Sequence, residues 1–274
     1  MKLPGIFFIL SIFVSLSCQQ NITLELPKYE PKVAVYCILD PATLPVVFLN
    51  LSQSHYTYGD TTLGNRPIKN AQVTIKDQTA NTTDELSLDS GIYFPAWYYY
   101  SHHLPEVGHH YILTVKYNGQ IINAETTVPK PVKIETFTHE RIDDPNTGLT
   151  QYVFHLFFQD IAEETNYYTC ADPNGVAITN FYTNFISDLG FDGKQLELTT
   201  NSYMVTSSII DSIQFQVTVK NVTPEMEKYD TDIWTQKQSG GPLSQPVVIE
   251  SNINGGLGIF GALTSSPEYT MRVK

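Results

Sequence analysis

Four histidines fall within a short stretch, S-H-H-L-P-E-V-G-H-H-Y, as His102, His103, His109 and His110, with Glu106 between the two pairs. Imidazoles at this density are the ligands that zinc and copper favour. Neighbours on a strand point to opposite faces, so only one histidine of each pair can readily converge. His103 and His109, with Glu106 as a third ligand, are therefore the candidate set. Solvent-exposed hairpin histidines explain the same residues, and the expectation is no bound metal.

A second stretch spells a different chemistry. Gly256-Leu257-Gly258-Ile259-Phe260-Gly261 is a literal G-x-G-x-x-G, the fingerprint of a dinucleotide site. That fingerprint works by joining a strand to a helix whose N-terminus receives the pyrophosphate, with an acidic residue about 20 positions later for the ribose. The residues after Gly261 include Pro267 and end in the strand-like Tyr269-Thr270-Met271-Arg272-Val273, so neither the helix nor the acid has room. The expectation is a structural turn, in which Gly256, Gly258 and Gly261 allow positive φ or close backbone approach and Leu257, Ile259 and Phe260 anchor the turn to the core of the second domain. No nucleotide is expected.

The densest aromatic run is Tyr93-Phe94-Pro95-Ala96-Trp97-Tyr98-Tyr99-Tyr100. Aromatic rings with polar tips suit interfaces, because they bury large area and retain a hydrogen bond. Tyr93, Trp97, Tyr98, Tyr99 and Tyr100 are thus a candidate partner or ligand surface. In a strand, Trp97 and Tyr99 would point one way and Tyr98 and Tyr100 the other.

Asp143-Asp144-Pro145-Asn146-Thr147-Gly148 and Asp188-Leu189-Gly190-Phe191-Asp192-Gly193 hint at calcium. Neither carries the further oxygen ligands of an EF-hand loop, and both read as ordinary turns. There is no G-x-S-x-G and no H-E-x-x-H, and no Ser, His and Asp set stands at a familiar spacing. No catalytic residue, enzyme activity or cofactor is expected.

The first residues carry an address. Lys2 precedes an apolar run, Ile6 to Leu16, that is too short to span a bilayer and has the size of a signal-peptide core. Ser17 before Cys18 resembles a bacterial lipobox, although Ser15 stands where leucine is commoner. Residues 1–17 then form a lipoprotein signal peptide, Cys18 carries the lipid, and 18–27 are a tether. The lipid would hold the protein on a membrane.

The elements that must position these residues follow a period of two. Lys32–Asp40, Val46–Ser52, Ala71–Asp77, Tyr111–Tyr117, Ile134–Arg141, Gln151–Gln159 and Ser212–Asn221 each read as a strand bounded by turn residues. The 17 Tyr and 14 Phe agree with an all-β chain. Pro129 and Pro131 mark a boundary, giving an N-terminal immunoglobulin-like β-sandwich over 28–130. Residues 131–274 follow as a second β-rich sandwich or partly open barrel. One amphipathic helix starts at Thr223, a candidate cap, with Met226, Tyr229 and Ile233 on one face. Cys37 and Cys170 read as buried thiols. Sixteen basic against 28 acidic side chains leave a net charge of −12, which disfavours nucleic acid as a partner.

Asn70-Ala71-x-Val73-x-Ile75-x-Asp77, Gly91-Ile92-Tyr93, Gly108-x-x-Tyr111-x-Leu113-x-Val115, Ala124-x-Thr126-x-Val128-Pro129, Phe191-Asp192-Gly193 and the terminal S-N-I-N-G-G-L-G-I-F-G-A occur in an order with a precedent. It resembles an uncharacterised family of Bacteroidota outer-membrane lipoproteins commonly encoded beside TonB-dependent receptors. The resemblance implies an outer-membrane lipoprotein, an immunoglobulin-like first domain and a TonB-dependent receptor as partner. The functional expectation is a non-enzymatic binding or accessory subunit of such a nutrient receptor. The alternative is an independent surface adhesin for glycan or protein.

Overall fold

Branched and aromatic residues alternate with polar ones through most of the chain, and the computed structural model turns that alternation into an all-β fold with one helix among the described residues. It describes residues 29–53, 66–91, 97–146, 149–171, 185–199, 203–206, 213–239 and 247–273. The expected signal peptide and tether, Cys18 and Tyr93 lie outside the described residues.

The first eight strands are β1 (Val33–Leu39), β2 (Val46–Leu51), β3 (Gln72–Asp77), β4 (Thr82–Glu85), β5 (Ser87–Ser90), β6 (Trp97–Tyr100), β7 (His110–Tyr117) and β8 (Gln120–Thr127). After Pro129 and Pro131 come β9 (Ile134–Asp144), β10 (Leu149–Gln159), β11 (Tyr167–Ala171), β12 (Ile186–Ser187), β13 (Gln195–Thr199), β14 (Tyr203–Thr206) and β15 (Ile213–Val222). The helix α1 (Pro224–Gln238) and the strands β16 (Leu257–Ser265) and β17 (Tyr269–Val273) complete the order.

These strands make three sheets. A four-stranded sheet runs β4-β3-β7-β8, and a second centres on β10, which pairs with β9 on one side and with β13 and β14 on the other. The third has nine strands, β12-β11-β15-β16-β1-β2-β6-β5, with β17 also on β15. Its hinge between halves is β16, parallel to β1 and antiparallel to β15. The third sheet thereby supplies one layer to each of two sandwiches, and no closed barrel forms among the described residues.

Two hydrophobic cores follow from that layering. Val35, Cys37 and Leu49 meet Val73, Leu113 and Val115 in the first. Phe154, Leu156 and Phe158 meet Tyr168, Cys170 and Val219 in the second. The two cysteines are therefore buried in different cores, and burial pushes the Cys37 thiol up. Pro129 and Pro131 fall between the last first-core residue of that segment, Val128, and the first second-core residue, Val132. Ile253, Phe260 and Ala262 nevertheless return to the first core from near the C-terminus. Phe260 thus anchors to the core of the N-terminal strands rather than to that of its own half, because β16 is the strand that completes the first sandwich.

The helix has Pro224 in its first turn, Glu225 and Glu227 near its N-terminus and Lys237 in its last turn, as the helix dipole favours. Thr223 stands at the N-cap but its hydroxyl makes no bond to the helix. That oxygen instead accepts the N–H of Ala262 at 3.3 Å, while the Thr223 N–H donates to the Ala262 carbonyl at 3.0 Å. Holding the strand takes the place of capping the helix. Leu263 and Val222 pack with Met226 of α1 on the outer face of the third sheet.

Candidate functional site

Gly258, Phe260 and Gly261 lie in a strand rather than in the expected turn, whereas Gly256, whose N–H donates to the Ile253 carbonyl at 3.4 Å, sits in a turn just before it. Leu257–Ala262 lies in parallel register with β1, Gly258 opposite Val35 and Phe260 opposite Cys37. Gly258 has φ +107°, and a Cβ there would fall on the Val35 carbonyl oxygen. At Gly256 a Cβ would come within 2.8 Å of the Val33 carbonyl oxygen. At Gly261 it would meet Met226 Cβ and Thr223 Oγ1 at 3.3 Å, so this glycine makes room for the helix. The three glycines serve close approach of backbone and helix, the role glycine fills where a side chain does not fit.

The histidine segment closes one end of the first sandwich. Asp77 ends β3 and is 8% exposed; its Oδ2 meets His109 Nδ1 at 2.7 Å, and its Oδ1 accepts the Ala80 N–H at 2.9 Å. His109 Nε2 lies 3.4 Å from Glu106, whose N–H donates to the Tyr111 hydroxyl at 2.7 Å. The hydrogen bond to Asp77, against a smaller desolvation effect, raises the His109 pKa above its ordinary value. Burial works against the Asp77 carboxylate, yet the hydrogen bonds from His109 and the Ala80 N–H, with that of Tyr111, hold its pKa below the usual one. Burial, followed by the charge of Asp77, helps push the Tyr111 phenol up to about 12.

This constellation borders a cavity of about 360 Å³ lined by Asp77, Asp84, Ser101, His103, Glu106 and Tyr111 among others. Its geometry is that of a clamp. Both ring nitrogens of His109 face carboxylates, and the Ser101 hydroxyl is engaged by Asp84 at 2.5 Å and the His103 backbone carbonyl at 3.0 Å, not by a histidine ring. Ser87 and His102 do meet at 3.0 Å, but both belong to an exposed contact in which no carboxylate orients the ring. His103, Glu106 and His109 do not converge: His103 is exposed, and the group of metal-competent side chains among the described residues is Asp160, Asp188 and Asp192. His110 turns away toward Thr127 and Glu125, as alternation of neighbours requires.

The aromatic run divides between the two faces of β6. Tyr99, 3% exposed, belongs to the core; its hydroxyl donates to the Ile68 carbonyl at 3.2 Å and accepts the Ala71 N–H at 3.0 Å. It is removed from the surface set for that reason. Trp97 is half-buried beneath the Lys69 ammonium, 4.0 Å from the ring centroid. Tyr98 and Tyr100 point outward, Tyr100 against His102 at 5.0 Å.

Outside the core, Tyr98 is one end of a row the sequence reading did not contain. Tyr36 on β1 stands directly opposite Phe48 on β2, and the β2–β6 register continues the line to Tyr98. Ring centroids are 6.4 Å apart from Tyr36 to Phe48, 6.1 Å from Phe48 to Tyr98, and 6.4 Å from Tyr36 to Tyr229 of α1. At the far end the Tyr98 hydroxyl donates to Asp89 at 3.3 Å. Tyr36 is 44% exposed, although its neighbours bury much of the ring. The signal was present: Tyr36 and Phe48 occupy the outward positions of strands whose inward positions are Val35, Cys37, Val47 and Leu49.

One family model, described as a domain of unknown function (DUF4249), matches residues 19–268. No curated protein and no solved structure matches the chain.

Proposed function

On the premise that the chain belongs to the DUF4249 family, we propose that it is a lipid-anchored, non-enzymatic binding or accessory subunit of an outer-membrane TonB-dependent receptor. The row Tyr229, Tyr36, Phe48 and Tyr98 is its docking surface. The observation that carries this reading is the row itself. Four aromatic rings in contact cross three neighbouring strands and one helix on the face turned away from the core. Contacts between neighbouring rings stabilise the fold by only about 0.2–1 kcal/mol each, whereas a partner covering the half-buried row gains area at low entropic cost because each ring is already held by the next.

Cys18 and the signal peptide support the anchored location, and the resemblance to receptor-associated lipoproteins supports the kind of partner. The acidic balance of the chain, net −12, argues against nucleic acid and against attraction to an anionic membrane by charge.

The test is recovery of the tagged protein from native membranes, solubilised in mild detergent, with the co-purifying chains identified. Stable recovery of an outer-membrane receptor is the expected result. Recovery of the protein alone, together with retention on a glycan or host-protein surface, would replace this reading with that of an independent adhesin.

A further inference from the structure

Four connections meet at one end of the second sandwich: the exit of β10 at Asp160, the entry to β11 at Asn166, the exit of β12 at Asp188 and the turn before β13 at Asp192. Ligand atoms of the three carboxylates lie within 4.8 Å of one another. Asp160 is 4% and Asp188 5% exposed. Among the described residues no lysine, arginine or histidine forms an ion pair with any of the three. Buried charges of one sign are normally paired or coordinate a metal.

The cluster has an independent companion. Asn166 is 3% exposed and its side-chain oxygen has no hydrogen-bond partner. Its place is fixed by register. Tyr167 pairs with Ser187 and Tyr168 with Ile186, and the Asp188 N–H donates to the Asn166 carbonyl at 3.2 Å, so Asn166 and Asp188 stand directly opposite. Opposite residues present their side chains on one face, and the residue two along shares it. That residue is Tyr168, whose hydroxyl reaches Asp160 at 2.6 Å. The unpartnered Asn166 oxygen is therefore on the side of the sheet where the carboxylates gather.

The carboxylates are also held in place. Asp160 accepts the Tyr168 hydroxyl and, at 2.8 Å, the Gly193 N–H; Asp188 accepts the Asn166 N–H at 3.0 Å; Asp192 accepts the Glu163 N–H at 2.9 Å. Donors of this kind orient first ligands toward a metal without competing for every lone pair.

We propose that Asp160, Asp188 and Asp192, with the side-chain oxygen of Asn166, bind a calcium ion. All the donors are oxygen, which selects a hard cation over zinc or copper. Three carboxylates and an amide oxygen suit calcium, which takes six to eight oxygen ligands in adaptable geometry; magnesium keeps most of its water and uses one or two carboxylates. The ion ties four separate connections together, and the site is independent of the receptor reading above.

The experiment uses the purified mature protein, stripped with a chelator, followed by thermal unfolding in chelator, in calcium or in magnesium at about 1 mM, the range of extracellular calcium modules. Native mass spectrometry counts the ions. Wild type gains one calcium per chain and a higher Tm in calcium only. Asp188→Asn and Asn166→Ala weaken calcium binding by at least about tenfold. Asp192→Asn, at the exposed position, loses the calcium-dependent rise yet matches or exceeds wild type in chelator, because it relieves repulsion; it carries the test if Asp188→Asn does not fold. A wild-type Tm that is the same in chelator and calcium, or a rise that persists in Asp192→Asn, overturns the site, and an equal response to magnesium overturns the choice of ion.

Discussion

Asn252 closes both backbone groups of Phe260: its Oδ1 accepts the Phe260 N–H at 3.0 Å and its Nδ2 donates to the Phe260 carbonyl at 2.7 Å. Two residues on, Thr223 does the same for Ala262. On that side β16 has no strand partner among the described residues until its pairing with β15 starts at Leu263, so these two residues satisfy backbone groups of that edge. In the terminal S-N-I-N-G-G-L-G-I-F-G-A, the part from Leu257 on is thus a strand, clamped by Asn252 just before it.

Removing the clamp should cost stability. Asn252→Ala leaves two backbone groups unpaired and is expected to cost about 1–3 kcal/mol. Phe260→Ala, at a fully buried position, should cost about 3–5 kcal/mol. Denaturant titration measures both. Wild-type stability in either variant would mean that β16 does not complete the first core.

The glycines should rank by what surrounds them. Gly258→Ala puts a Cβ on the Val35 carbonyl at φ +107° and is expected to lose more than about 1 kcal/mol. Gly261→Ala meets Met226 and Thr223 at 3.3 Å and should lose much less. Thermal unfolding should show that order, with no shift on adding NAD or ATP to wild type. A saturable nucleotide shift would restore the dinucleotide reading.

The Asp77–His109 pair should leave a pH signature. His109 has a raised pKa when folded, so its contribution is fully present below the unfolded value near 6.5 and is lost as pH rises through the folded one. Asp77 has a lowered pKa, so its contribution is present above the unfolded value near 3.8 and is lost as pH falls through the folded one. The stability gap between wild type and His109→Gln is therefore expected to be widest between these limits and to narrow on both sides. A gap that does not change with pH would show that the pair acts by packing alone.

Lipidation at Cys18 predicts a simple fractionation result. Cys18→Ala should move the protein from the membrane to the soluble envelope fraction, and the wild-type mature mass should include lipid. A mature wild-type mass without lipid would remove the anchor.

The strands were legible because alternation is local. β1, β2, β3, β7, β9, β10 and β15 fall where Val, Ile, Leu, Phe and Tyr alternate with polar residues, and α1 follows Thr223-Pro224. What joins them was not. A parallel β1–β16 pair links residues more than 200 positions apart, and nothing near Phe260 records which core it enters. The same limit hid both candidate sites. Tyr36, Phe48, Tyr98 and Tyr229 become one row only once register is set. Asp188 and Asp192 read as a turn because the missing oxygens, Asp160 and Asn166, come from other connections. Composition does not say which half of an alternating run faces inward, so Tyr99 is indistinguishable in sequence from its outward neighbours Tyr98 and Tyr100.

The central claim is that the outer aromatic row docks the protein on a receptor, and co-purification with row variants tests it most directly. Tyr36→Ala and Tyr98→Ala remove side chains from the outer face, so folding should be kept, as a cooperative thermal transition would verify. Truncating a central aromatic contact typically costs an interface 2 kcal/mol or more, about thirtyfold in affinity. The account predicts that wild type brings an outer-membrane receptor out of native membranes and that the folded double variant, still anchored through Cys18, does not. Equal recovery of the receptor by wild type and by the folded variant would contradict it.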